Sequence, residues 1–264
     1  MESNKILFTG DPILDVYIDS YNTMHTYKGG ALNIYQNTLA LLEESLSKEC
    51  ANFKFAYPND GDCTVGDIFN FYTIVRTPRH VNGVPLISEN EKTIFYEPSG
   101  IAETINEFRP NIVVYGDYNK GALSSFYDLT LPKIDISIVD SRYKSIHPSW
   151  LSTSKLKMWH ATGDEYDKEW AQQFDIVFWT DGPEDVRVIK ENDLVATLSV
   201  PTDTKVIDSC GSGDTFTATI AACLYAYKNT STESIIDYAE YAIQVCQSVV
   251  SKPHTATTDM RIKR

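Results

Sequence analysis

The sequence contains no apolar run near the roughly 18 residues that a membrane span needs. Its first residues, Met1-Glu2-Ser3-Asn4-Lys5, hold no apolar core of the kind that directs secretion, so a cytoplasmic location is expected. Cysteine is sparse. The five residues Cys50, Cys63, Cys210, Cys223 and Cys246 are odd in number and include no Cys-x-x-Cys pair, which argues against a disulfide framework or a zinc site. Basic residues are outnumbered, 23 Lys and Arg against 36 Asp and Glu, for a formal charge of -13. A surface with that balance repels a nucleic-acid backbone and an anionic membrane alike, and neither is expected as a partner. No Gly-x-Gly-x-x-Gly follows the first strand-like run, which disfavours a dinucleotide oxidoreductase. The five histidines show no ligand spacing, and Asn59-Asp60-Gly61-Asp62 lacks the later ligands of a calcium loop and reads as a turn.

What is present is one large core's worth of alternating elements. At 264 residues, 42% of them hydrophobic, the chain suits a single main domain over 1–264. Apolar, strand-like runs at Lys5 to Thr9, Phe53 to Tyr57, Asn111 to Tyr115, Ile134 to Val139, Leu156 to Ala161 and Asp175 to Thr180 recur, several of them ending in polar or glycine-bearing loops. Between them lie helical patterns such as Leu32, Tyr35, Leu39, Leu42 and Leu46. The alternation predicts an α/β fold with a mostly parallel sheet flanked by helices. Val186 to Val200 is β-rich, and Thr230-Ser231-Thr232-Glu233 reads as a capping box that opens the last helix.

The most informative stretch is Asp208-Ser209-Cys210-Gly211-Ser212-Gly213-Asp214-Thr215-Phe216. Two glycines around a serine let backbone amides converge on one anion, and the periodicity of Phe216, Ile220, Cys223, Leu224 and Tyr227 places that turn at a helix N-terminus, which favours negative charge. Asp214 ends the turn. A first-turn carboxylate is often no more than a cap, but beside an anion cradle it is repelled by the bound anion, and removal of a proton from an attacking hydroxyl would explain its presence. Asp11 and Asp15, around Pro12-Ile13-Leu14, could both approach one polyol or could cap turns. Gly29 and Gly30 precede a helix whose early Asn33 could face a ligand or solvent. Arg79 is expected on the surface, while Arg76 is left open between the surface and an anion.

These residues carry a resemblance. The Gly211-Ser212-Gly213-Asp214 turn, with Asp208 before it, resembles the C-terminal signature of the ribokinase (PfkB) carbohydrate kinases, although Cys210 stands where that family usually has Thr. Gly10-Asp11 with Asp15, and Gly29-Gly30-Ala31-Leu32-Asn33, resemble its N-terminal features. Asp117-Tyr118-Asn119-Lys120-Gly121-Ala122-Leu123 is similar to a segment of the heptose kinases that act in ADP-heptose synthesis. The resemblance implies a three-layer ribokinase-like fold, ATP and Mg²⁺ as cofactors with room for a monovalent cation, and a sugar or sugar phosphate as acceptor. In that reading Asp214 is the base, Gly211, Ser212 and Gly213 form the anion hole, and Asp11, Asp15, Gly29, Gly30 and Asn33 bind the sugar. Lys120 and Arg142 hold its phosphate, with a solvated lysine as the plain alternative for Lys120. Glu165 handles the metal through water.

Several departures bear on that expectation. Only thirteen residues separate Asp15 from Gly29, so a reduced lid is expected, with elements within about 16–30 and 73–97, and a lid-mediated homodimer stays open. Thr162 stands where the family has Asn, and Ile243 where the heptose kinases have an Asn bordering the adenine. The acceptor implied most closely is D-glycero-β-D-manno-heptose 7-phosphate at O1. Another sugar, a nucleoside, or a catalytically silent binding protein are the alternatives.

Overall fold

The structure, a computed structural model, describes residues 4–18, 24–46, 52–56, 72–81, 84–87, 99–124, 130–141 and 143–262. In chain order the elements are β1 (Ile6–Gly10), β2 (Pro12–Ile18), β3 (Met24–Gly30), α1 (Ala31–Leu46), β4 (Phe53–Ala56), β5 (Tyr72–Val81), β6 (Val84–Ile87), α2 (Ser99–Phe108) and β7 (Ile112–Asp117). There follow β8 (Ile134–Ser141), β9 (Ser154–Thr162), α3 (Lys168–Ala171), β10 (Ile176–Thr180), β11 (Val186–Lys190), β12 (Asp193–Leu198), α4 (Ser212–Tyr227) and α5 (Thr232–Val250).

The main sheet has eight strands in the order β12-β11-β10-β9-β8-β7-β1-β4. From β4 to β10 every pairing is parallel, and β11 and β12 add antiparallel strands at one edge. Side chains of these strands alternate between two cores, as strand geometry requires. Ile6, Phe8, Ile112, Val114, Ile138 and Met158 enter one core together with α1, α4 and α5. Leu7, Val113, Tyr115, Val139 and Trp159 enter the other with α2 and Trp150. Burial on both faces explains why the strands read as continuous apolar runs. The α/β expectation and the mostly parallel sheet are thus what the structure has.

A second sheet, of four strands in the order β3-β2-β5-β6, continues from the carboxyl end of β1. The segments expected to hold reduced lid elements build it: β2 and β3 form an antiparallel hairpin, β5 lies parallel to β2, and β6 returns antiparallel. Its other half, β5 and β6, comes from residues well downstream of β3. Asp11 is the one residue between the two sheets: β1 ends at Gly10 and β2 begins at Pro12. The small sheet is tied down by the C-terminal segment. The His254 ring lies 4.3 Å from that of Tyr17 and 5.2 Å from that of Tyr27, and the Thr255 hydroxyl is 3.1 Å from that of Tyr17.

The strands converge tightly where β1 and β7 end. Gly10 pairs with Gly116, the Asp11 N–H donates to the Gly116 carbonyl at 2.8 Å, and the Ala31 N–H donates to the Asp11 carbonyl at 3.2 Å. This brings the start of α1 against both strand ends. At the other end of the chain, the last helix starts one residue later than the predicted box: Ser231, not Thr230, is the cap and accepts from the Ser234 N–H at 3.3 Å. No helix among the described residues is long and apolar enough to cross a membrane. The turn cluster Asn59 to Asp62 and the side chains of Arg76 and Arg79 lie outside the described residues.

Candidate active site

Loops at the carboxyl ends of β1, β7, β8 and β9 meet the N-terminus of α4 at one edge of the main sheet, the position where open α/β sheets bind ligands. Asp214 is the third residue of α4 and is only 9% exposed. Gly211 caps the helix in the left-handed region, φ 81°, and a side chain there would place its Cβ 2.6 Å from Nδ2 of Asn33. Only glycine lets the turn approach α1 this closely. The Asp208 carboxylate shapes the turn by accepting from the N–H groups of Cys210 at 2.9 Å and His254 at 3.1 Å.

The Ser212 N–H, expected in the anion hole, donates to the Ser209 carbonyl at 3.2 Å within the turn. Gly213 and Asp214 supply the amides that the helix itself leaves without a partner four residues back. A Cβ at Gly213 would make only ordinary contact, 3.5 Å from Cε1 of His160.

Both oxygens of Asp214 are held. Asn33 donates from Nδ2 to Oδ2 at 2.8 Å, and the Tyr118 hydroxyl donates to Oδ1. Burial is the main cause that pushes the Asp214 carboxyl up to about 7, and the negative charges of Asp140 and Asp15 add to it while the two donors pull it down. A carboxyl group poised near neutrality suits a general base. Asn33 is locked in turn. Its Oδ1 accepts from Asn37 at 2.9 Å, and Asn37 accepts from the Thr258 N–H at 3.0 Å. Asn33, expected to face a sugar, is in this structure bonded to Asp214.

The other expected residues fall into place unevenly. Asp15 sits on β2 rather than in a turn, is 1% exposed, and accepts from the Thr255 hydroxyl at 2.7 Å. Gly29 makes room for it, because a Cβ there would lie 2.6 Å from its Oδ2; Gly30 pairs with Pro12 at the strand's end. Asp11, fully buried, accepts three backbone N–H bonds, from Tyr118 at 2.8 Å, Lys120 at 3.0 Å and Ala122 at 3.0 Å. Its carboxylate therefore shapes the 118–122 loop, where a polyol floor was expected. Burial pushes its carboxyl up to about 6 against those three bonds.

Lys120 lies in that loop, with its backbone fixed by Asp11. Arg142 lies outside the described residues. Glu165 closes the short turn Gly163–Glu165 after β9, a turn fastened by the Trp179 indole N–H on the Gly163 carbonyl at 2.8 Å. Among the described residues no three His, Cys, Asp or Glu side chains form a cluster that could hold a metal ion. Ile243 is packed into the core between the helices and the sheet.

Sequence reasoning missed Tyr118, Asp140 and Thr255 as site residues. Tyr118 lies inside the segment singled out for Lys120. Asp140, 8% exposed, accepts from the Thr217 hydroxyl at 2.8 Å, and Thr217 in turn is 2.9 Å from Nδ1 of His160. No local pattern announces such a contact, because β8, β9 and α4 are far apart in sequence.

No family model matches the sequence, and no curated protein matches it. Solved structures do resemble the chain over nearly its whole length. A ribokinase from Giardia lamblia aligns with a TM-score of 0.69 and 13% identity over 98% of this chain and 97% of that one. A fructokinase from Vibrio cholerae, solved with fructose, ADP and calcium, aligns with a TM-score of 0.60 and 14% identity over 98% and 96% of the two chains. Phosphofructokinase-2 from Escherichia coli, solved with potassium, gives 0.63 and 13% over 98% and 96%. These neighbours are carbohydrate kinases, and the likeness defines the architecture: the chain has the ribokinase-like fold.

Proposed function

We propose that the protein is an ATP-dependent sugar kinase with Asp214 as the general base. The observation that carries this reading is the placement of a buried carboxyl, titrating at about 7, in the first turn of α4 beside backbone amides at the strand-end edge. In the proposed reaction the acceptor's hydroxyl oxygen forms a bond to the γ-phosphorus of ATP. The bond from that phosphorus to the β–γ bridging oxygen breaks, ADP leaves, and the hydroxyl proton passes to Asp214. The amides of Gly213 and Asp214 stabilise the charge that spreads over the transferring group's oxygens. Asp15, on the small sheet, and the loop shaped by Asp11 orient the acceptor, and an aligned pair of reactants accounts for much of the acceleration.

The donor set suits Mg²⁺ only as an ion carried by the nucleotide. Such ions commonly use one or two carboxylates plus substrate phosphates rather than a protein cage. Glu165 is the residue that would meet it through water. Bound there, the ion would neutralise phosphate charge in a region that already holds Asp11, Asp15, Asp117, Asp140 and Asp214.

For the acceptor we propose D-glycero-β-D-manno-heptose 7-phosphate, phosphorylated at O1, on the strength of the Asp117 to Leu123 segment, with Lys120 toward the distant phosphate. The names of the structural neighbours favour a broader panel as the test: ribose, fructose, fructose 6-phosphate, a nucleoside and the heptose phosphate, each with ATP, with ADP release followed by a coupled assay. Release that depends on a sugar, and is fastest with the heptose phosphate, is the expected result. Faster turnover of another sugar would replace the acceptor and keep the kinase; no sugar-dependent release with any of them would leave a binding protein.

A further inference from the structure

Asp214 is held by two donors of unequal firmness. Asn33 is 1% exposed, lies within α1, and is fixed by Asn37 and, through it, by the C-terminal segment. Tyr118 is only partly buried and sits on the loop after β7, with its backbone N–H pinned to Asp11 and its ring against Ile13 of β2. Its hydroxyl reaches Asp214 from the strand-end loops, the direction from which an acceptor hydroxyl would have to come. Its bond to Asp214 Oδ1 has the chemistry of the bond an acceptor makes before transfer: an O–H donor on the oxygen that is to take the proton.

We propose that Tyr118 is an acceptor-displaced gate: its hydroxyl occupies the acceptor's position on Asp214 until a sugar hydroxyl replaces it. This inference rests on Asp214 being the base. Two consequences follow from the geometry. With no sugar present, the phenol keeps water from the base and so protects bound ATP from hydrolysis. When a sugar enters, one hydrogen bond to a carboxylate is exchanged for another, and release of the ring from Ile13 passes the event to β2 of the small sheet. The exchange lowers apparent affinity for the sugar, because a hydrogen bond to a charged group must be given up.

Tyr118→Phe tests the gate while keeping the ring that packs on Ile13. With ATP alone, the variant is expected to hydrolyse nucleotide about tenfold faster than the unaltered protein, the scale of one hydrogen bond to a charged partner. With ribose, fructose and the heptose 7-phosphate in turn, the sugar that turns over should show a KM about tenfold lower. The pH profiles supply a readout that a merely structural role would not give. The kcat/KM profile reports the free enzyme, where the phenol holds the base's titration down, so its acidic limb should move to higher pH; the kcat profile reports the complex, from which the phenol has left, and should stay in place. Equal shifts in both profiles, with hydrolysis unchanged, would show that Tyr118 stays on the base during transfer and would overturn the gate. A raised KM would make Tyr118 a sugar ligand and would overturn the gate equally. Asp214→Asn measured in parallel separates the two failures: if that variant keeps full turnover, the base assignment falls; if it is inactive, only the gate is in question.

Discussion

Asp214→Asn is expected to lower turnover about a thousandfold while leaving sugar and nucleotide binding within a few-fold, the range seen when a positioned proton acceptor is removed. The amide cannot take the acceptor's proton, yet it has nearly the same shape and still offers an oxygen to Asn33. The stability of this variant supplies a second check. Because burial raises the folded-state titration of Asp214 from 3.8 to about 7, the stabilising contribution of its neutral form is complete below about pH 4 and lost as pH rises through 7. A permanently neutral side chain escapes that loss, so the unfolding midpoint at pH 8 should be no lower than that of the unaltered protein. Steady-state kinetics and a thermal melt decide both points; near-normal turnover would remove Asp214 from its role.

Gly10→Ala should produce the largest loss of stability. A Cβ at this position would lie 2.1 Å from the Gly116 carbonyl oxygen and 2.7 Å from both the carbon and nitrogen of that residue, and the backbone sits at φ 129°. Neither neighbour can give way easily. Gly116 is itself packed against Ala31, whose Cβ would be 2.8 Å from any added there. Strain at such a backbone angle and overpacking each cost about 1–3 kcal/mol, so a combined loss of about 3–5 kcal/mol is expected against a total stability of about 5–15 kcal/mol. A thermal midpoint lowered by about 10 °C or more would follow. A midpoint within about 2 °C of the unaltered protein would contradict the packing described for β1 and β7.

Much of the architecture was legible because parallel strands buried on both faces are written as unbroken apolar runs, and Ile112-Val113-Val114 or Ile134 to Val139 could hardly be anything else. The Gly211 to Asp214 turn was legible for a similar reason: Gly211 adopts a left-handed angle that few residues tolerate, so the requirement shows in the local sequence. The small sheet was not. Its β2 and β5 are separated by residues 19–71 and pair only through tertiary structure, so the short spacer after Asp15 did not reveal the sheet that β2 and β3 join. The same limit applies to the site. A carboxylate's partners are set by which loops the fold brings together, so Asp11 could be placed at the edge without revealing that the backbone of 118–122 would claim it. Asn33 stood out beside two glycines, but its bond to Asp214 spans 181 residues and no spacing rule could supply it.

The negative character of this edge gives the arrangement its tuning. Asp140 lies near enough to Asp214 to raise its titration, and it is held there by Thr217, one turn further along α4. The helix thus carries both Asp214 and the hydroxyl that fixes the charge acting on it. Tyr118 and Asn33 work in the opposite sense by favouring the ionised form. The midpoint near neutrality is the balance of burial and like charge against two donors.

The most direct test of that balance is the pH dependence of kcat/KM for whichever sugar the panel identifies, measured for the unaltered protein and for Asp214→Asn. A carboxyl that must be ionised to accept a proton predicts activity falling tenfold per pH unit below a midpoint at about pH 7. In the variant that limb should be gone, with the residual rate flat through the same range. An unchanged limb in Asp214→Asn, or full activity of the unaltered protein at pH 5, would contradict the assignment of Asp214 as the base.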